Sequence, residues 1–153
     1  MDFFEVSLNV GHVVLKVRDL ERSVRFYREV LGLKNVARGT FGRPMVFFSA
    51  TRENHHDLAL FEVGPGAAPS EKNQVGLYHV ALRIGHSLEE LRAAKAHLEA
   101  HGVEELRLRD HTVSQSIYLN DPDGNGLELY VDADPGIWRK DPSAVATSIP
   151  LQL

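Results

Sequence analysis

The chain has 153 residues, 43% of them hydrophobic and 25% charged, with a formal net charge of -4. That length allows one compact domain whose core buries roughly 70% of the surface an unfolded chain exposes. An acidic chain with no basic block is a poor nucleic-acid binder, no apolar run is long enough to span a bilayer, and the lack of any cysteine removes disulfides, thiolate metal sites and a cysteine nucleophile.

The chain opens on Met1-Asp2-Phe3-Phe4-Glu5, acidic and without the apolar stretch of a signal peptide, so a cytoplasmic protein is expected. Gly11-His12-Val13-Val14-Leu15-Lys16-Val17 then reads as a half-buried strand led by a histidine. Asp19 is placed to cap a helix with Leu20, Val24, Tyr27 and Leu31 on one face and Gly32 as its stop. Strands are expected at Lys34 to Arg38, Met45 to Ser49 and Leu58 to Val63. A turn-rich linker from Gly64 to Asn73 follows.

The same order then recurs. Tyr78-His79-Val80-Ala81-Leu82-Arg83-Ile84 repeats the first strand, histidine included. Ser87-Leu88-Glu89-Glu90 is a capping box, with Leu88, Leu91 and Leu98 on one helical face and Gly102 as the stop. Glu105 to Leu108, Ser116 to Leu119 and Leu127 to Val131 complete the repeat as strands. The fold class is therefore α+β, with two tandem βαβββ modules: about 8–63 and 77–132, a linker at 64–76 and an extended tail at 133–153. Two like modules would pair, bringing His12 and His79 together across 67 positions.

Glu128 stands between Leu127 and Leu129 in a strand that looks buried on both faces. A carboxylate there is costly unless compensated, and a metal ion would compensate it. His12, His79 and Glu128 make a set of two imidazoles and one carboxylate, which suits a non-haem ferrous site with open positions. Aligning the repeats places Ala59 opposite Glu128, so a fourth symmetric ligand is missing. Taken singly, each histidine is better explained as a core or strand-end residue, and Glu128 has the alternative of an exposed carboxylate on an open sheet face. It is their symmetric placement that joins them. His55 and His56 precede the strand at Leu58, while His111 and Tyr118 lie upstream of Glu128. Strand alternation places His56 on the face opposite Ala59 unless the chain bends there, and gives Asp57 that face as a rival polar group. Asp121 to Gly126 reads as a tight turn, and Trp138 as packing from the tail, over the pocket mouth.

The run from His111 to Glu128, His-Thr-Val-Ser-Gln-Ser-Ile-Tyr-Leu-Asn-Asp-Pro-Asp-Gly-Asn-Gly-Leu-Glu, resembles the signature of type I extradiol catechol dioxygenases. These belong to the vicinal oxygen chelate superfamily, with glyoxalase I and bleomycin- and fosfomycin-resistance proteins. His55-His56-Asp57-Leu58-Ala59-Leu60 resembles the segment carrying their acid–base histidine, and the likeness covers roughly residues 8 to 132. Arg109 departs from it, standing where the signature prefers a small or β-branched residue. The resemblance implies a glyoxalase-like pair of half-barrels around one metal site. It implies Fe(II), with Mn(II) as the alternative, on His12, His79 and Glu128. His56 would be the acid–base residue, and His111 and Tyr118 would hydrogen-bond the substrate oxygens. The expected reaction is ring cleavage of a catechol with both atoms of dioxygen incorporated. A homodimer or dimer-based assembly is expected, with no nucleic-acid or membrane partner.

Two other readings remain open. A glyoxalase-type isomerase or epimerase would need a fourth ligand, for which Glu62 is nearest in sequence, though on the wrong expected face. A non-catalytic module that sequesters a drug or metabolite would share the fold and often lack the ligands.

Overall fold

The computed structural model describes residues 9–51, 53–69, 71 and 73–153. The acidic N-terminal segment and two linker positions, Ser70 and Lys72, lie outside the described residues. The chain divides into two compact units, residues 1–68 and 69–153.

In the first unit the order is β1 (Val13–Val17), α1 (Leu20–Arg25), a π-helical turn (Phe26–Val30), β2 (Lys34–Thr40), β3 (Pro44–Ser49) and β4 (Leu58–Glu62). The open sheet runs β1-β4-β3-β2, with β1 parallel to β4 and the other pairs antiparallel. Asp19 caps α1 by accepting from the Arg22 amide at 2.9 Å. Leu20, Val24 and Tyr27 are buried with Leu15, Val17, Val46, Phe48, Leu58 and Leu60, which alternate along the strands onto one face. Each such side chain contributes roughly 1.5–3 kcal/mol relative to exposure. The expected apolar face breaks at its end. The Leu31 amide bonds back to the Phe26 carbonyl, five residues away, so the wider turn leaves Leu31 half-buried and buries Leu33 instead.

The second unit repeats this plan with β5 (Val80–Gly85), α2 (Leu88–Ala100), β6 (Arg107–Asp110), β7 (Ser114–Asn120) and β8 (Gly126–Asp132). Its sheet runs β5-β8-β7-β6 and adds a fifth strand, β9 (Ile149–Pro150), beyond β6. Ser87 caps α2, and the Glu90 carboxylate accepts from the Ser87 hydroxyl and the His86 amide at 2.8 Å each. Those bonds hold the Glu90 carboxyl below the usual carboxylate range. Leu91 and Leu98 are buried against the sheet, whereas Leu88, expected on the same face, is 38% exposed at the first turn.

The tail corrects the expectation of an extended segment. It forms a short helix α3 (Gly136–Lys140) and a 3-10 turn (Pro142–Ala146) before β9 pairs antiparallel with β6, opposing Arg109 to Pro150 and Asp110 to Ile149. Among the described residues no helix is long and apolar enough to cross a membrane.

Candidate metal centre and substrate cavity

In the second unit, β8 runs between β5 and β7, and register decides which side chains meet. Glu128 lies opposite Ala81 on one side and Tyr118 on the other. His79, two residues before Ala81, shares that sheet face, as do Ser116 on β7 and Arg107 and Arg109 on β6. α2 covers the opposite face, through Leu91 and Leu98. One face of one sheet thus gathers the polar groups.

His79 Nε2 is 3.0 Å from Glu128 Oε2, and Glu128 Oε1 accepts from the Ser116 hydroxyl at 2.5 Å. Glu128 is 8% exposed, so these partners keep its charge from being stranded in the sheet. His79 Nδ1 is buried without a hydrogen-bond partner. The imidazole is thus engaged at one nitrogen and unpartnered at the other. Two donors about 2.1 Å from one ion at right angles lie about 3 Å apart, the spacing found here. An imidazole nitrogen and a carboxylate oxygen suit a divalent first-row metal. Among the described residues, no three histidine, aspartate or glutamate side chains gather as a metal-holding group.

Tyr118 and His111 continue the array. His111 Nδ1 lies 2.7 Å from the Thr147 carbonyl, which only accepts, so Nδ1 carries a proton. In the neutral ring Nε2 is then an acceptor, and the Tyr118 hydroxyl donates to it at 2.8 Å. The Tyr118 hydroxyl is pushed up to about 12, first by burial, then by the Glu128 carboxylate beside it. It stays protonated at any ordinary pH. The tail sets this tautomer, because Thr147, at the end of the 3-10 turn before β9, places its carbonyl against the ring.

A cavity of about 410 Å³ opens on this face, lined by His79, Arg107, Arg109, His111 and Tyr118, with Tyr78 and Ser148. Trp138 does not belong to it. That ring lines a separate cleft with His86 and Asp134 and carries the Arg139 guanidinium at 5.3 Å, which corrects its expected place over the pocket mouth.

In the first unit three histidines cluster. The His56 ring lies 4.2 Å from His12 and 4.4 Å from His55, with Phe47 at 5.2 Å. Alternation does not carry His56 to the opposite face, because β4 begins only at Leu58. The Asn54 amide ties the bend down, donating at 2.7 Å to the carbonyls of Gly11 and His56. Burial, then the charges of His12 and His55, push the His56 imidazole below its ordinary value, leaving it neutral and able to accept a proton near pH 7. Asp57 is no rival group: its carboxylate accepts from Ser49 Oγ and the Ala50 amide at 3.1 and 2.8 Å. Glu62 is committed as well, accepting from the Leu20 amide at the start of α1 at 2.9 Å.

The structure brings His79, Glu128, Tyr118 and His111 together in one unit, and His12 with His56 in the other. Ser116 was not among the sequence candidates, although alternation from Tyr118 marks it as facing Glu128. The expected turn from Asp121 to Gly126 is there: Asp121 accepts from the Asp123 and Asn125 amides at 2.8 Å each, and Gly124 has φ +86. Gly126 does more. A Cβ there would lie 2.5 Å from the Tyr78 carbonyl, so glycine is what lets β8 start against the backbone that presents His79.

Comparison with known proteins adds the lineage. The model of the Glyoxalase/Bleomycin resistance protein/Dioxygenase superfamily matches residues 9–129. The catechol-2,3-dioxygenase of Bacillus subtilis is 36% identical over 134 residues, 87% of this chain and 45% of that protein. Biphenyl-2,3-diol 1,2-dioxygenase 3 of Rhodococcus globerulus is 34% identical over 128 residues, 83% of this chain and 65% of that one. The chain thus spans between about half and two-thirds of the length of these relatives. A crystal structure of a glyoxylase/bleomycin resistance protein/dioxygenase domain from Frankia sp. EAN1pec superposes with a TM-score of 0.72, covering 84% of this chain and all of that one. At 23% identity it speaks for the fold alone.

Proposed function

Since the chain belongs to the glyoxalase/bleomycin resistance/dioxygenase superfamily, we propose that it is an Fe(II)-dependent extradiol dioxygenase that opens the ring of a catechol. The observation that carries this reading is the His79–Glu128 pair, at the spacing of two neighbouring metal ligands and beside an oriented Tyr118–His111 pair. His12 of the first unit would be the third ligand. Ferrous iron, or Mn(II), would supply a common centre for the catechol oxygens and dioxygen, whose direct reaction is spin-forbidden.

The side chains have separate tasks. His56, neutral near pH 7, would take a proton from a catechol hydroxyl onto its imidazole and return it later in the reaction. Tyr118, kept protonated, turns its single O–H from His111 Nε2 to a substrate oxygen where negative charge develops. His111 holds the Tyr118 hydroxyl in line, and the Thr147 carbonyl holds His111. The isomerase alternative loses its candidate fourth ligand, because Glu62 caps α1.

The experiment is oxygen uptake by anaerobically iron-loaded protein across a panel of catechols. The reading expects dioxygen consumption and a yellow ring-opened semialdehyde or keto-acid. Protein that holds Fe(II) yet consumes no dioxygen with any catechol would overturn it.

A further inference from the structure

We propose that Arg107 and Arg109 form an anion subsite, so that the preferred substrate is a catechol bearing a carboxylate. This rests on the dioxygenase reading and names its substrate class. The two arginines sit two residues apart on β6, opposite Tyr118 and Ser116, and so point to the face that carries Glu128. Strand geometry sets their Cα atoms about 7 Å apart. Both line the cavity with His79, His111 and Tyr118.

Neither arginine has an ion-pair partner among the described residues, while Arg28, Arg38 and Arg83 each have one. No carboxylate lines the cavity among those residues. The nearest acid on β6, Asp110, alternates to the other face and accepts from the Thr112 amide and the Gln115 side chain at 2.7 and 3.2 Å. Arg109 is half-buried, and Arg107, itself exposed, stands over the Tyr118 ring at 5.7 Å. A chain with 21 acids and 17 basic residues thus leaves two guanidiniums unneutralised at its cavity. The two like charges repel, and an anion between them relieves that repulsion.

The fold does not require arginine there. The corresponding positions of the first unit, set by the same cross-strand registers, are Ala37 opposite Phe47 and Gly39 opposite Met45. Nor does the lining suit a bulky apolar ring substituent, because it offers no aliphatic side chain. A guanidinium fork matches a carboxylate with two parallel N–H···O bonds, which a neutral alkyl or aryl group cannot accept. Arg109 is also the residue that departs from the dioxygenase signature, which fits a change in substrate preference rather than in chemistry.

The test compares wild type with Arg107→Gln, Arg109→Gln and the double variant. The ratio of kcat/KM for 3,4- or 2,3-dihydroxybenzoate to that for 4-methylcatechol should favour the acids in wild type. It should fall about 10²-fold in the double variant, as expected for loss of a charge-assisted bidentate contact of about 3 kcal/mol. Calorimetric titration of metal-free protein with the same compounds reads the subsite without turnover. There the acids should bind at least about tenfold more tightly than 4-methylcatechol, with the advantage lost in the double variant and in high salt. Variants that melt as wild type but keep the preference would overturn the proposal, as would a wild type that favours 4-methylcatechol in both assays. If no catechol consumes dioxygen, the dioxygenase reading falls. The titration then decides the subsite alone: salt-sensitive, arginine-dependent binding of the acids sustains it, and its absence ends it.

Discussion

The two units share the order of four strands and the register around Ala59 and Glu128, yet they carry different chemistry at equivalent places. In the first, Ala59 lies between Val14 and Phe47; in the second, Glu128 lies between Ala81 and Tyr118. Beside that row, Met45 stands where the second unit has Ser116, and Ala37 and Gly39 stand where it has Arg107 and Arg109. Each substitution replaces an apolar or small residue by a polar one on a single sheet face. The opposite faces, which bury Leu15, Val17, Leu60 and Val46 in one unit and Ile117, Leu127, Leu129 and Val131 in the other, stay apolar in both. A sheet in this fold therefore tolerates a buried carboxylate when the same face also supplies its partners. The face away from the helix varies between the units although Ala59, Met45, Ser116 and Glu128 on it are all buried.

The sharpest way to break the comparison is to make the second unit like the first. Glu128→Ala copies Ala59, and His79→Ala removes its partner. Each should abolish Fe(II) retention and bring oxygen uptake to background, with folding followed by circular dichroism. Full metal content by emission spectrometry in both variants would refute the ligand assignment. A smaller loss is expected from the first unit's own contribution. His56→Ala should keep iron and lower kcat by about 10²–10⁴-fold, the usual worth of a positioned acid–base group. Because burial and the neighbouring histidines lower this imidazole, wild-type kcat/KM should fall on the acid side only below about pH 6.5, and that limb should vanish in the variant. The same shift has a stability sign. The unfolded chain takes up this proton first as pH falls, so His56 makes the fold less stable below about pH 6.5, and thermal melts of His56→Ala should show a shallower acid decline.

Tyr118→Phe copies Phe47 and removes the hydroxyl between Glu128 and His111. It should cost about 10²-fold in kcat, the lower range for one preorganised donor. The wild-type profile should show no tyrosine limb below about pH 10, since that hydroxyl is pushed up to about 12. An alkaline limb near pH 9 that Tyr118→Phe abolishes would contradict this. The least effect should come from Ser116→Ala, which leaves one oxygen of Glu128 without its donor. Metal affinity should weaken about tenfold, within the range for partners that orient a ligand, read by competition with a chelator. An unchanged affinity would show that His79 alone positions the carboxylate.

Much of this was legible in the chain. The repeated histidine-led strands, the caps at Asp19 and Ser87, the stops at Gly32 and Gly102, and the alignment of Ala59 with Glu128 all follow from local pattern, because period and capping are read from neighbours in sequence. Where local pattern was extended too far, it failed. Alternation does not reach His56, because β4 begins only at Leu58, and the order within the tail is hidden from local pattern because β9 pairs with β6, about 40 residues upstream.

Sequence alone determined the two βαβββ modules, their helix ends and the residue types available for a metal site, since these depend on propensity, period and composition. Tertiary structure alone decided that Ser116 holds Glu128, that Gly126 admits the backbone behind His79, that Thr147 fixes the tautomer of His111, and that Glu62 is spent on the amide of Leu20. Each of these is a contact between residues at least 12 positions apart. Register across strands, not the order of residues along them, sets which atoms come within hydrogen-bonding reach.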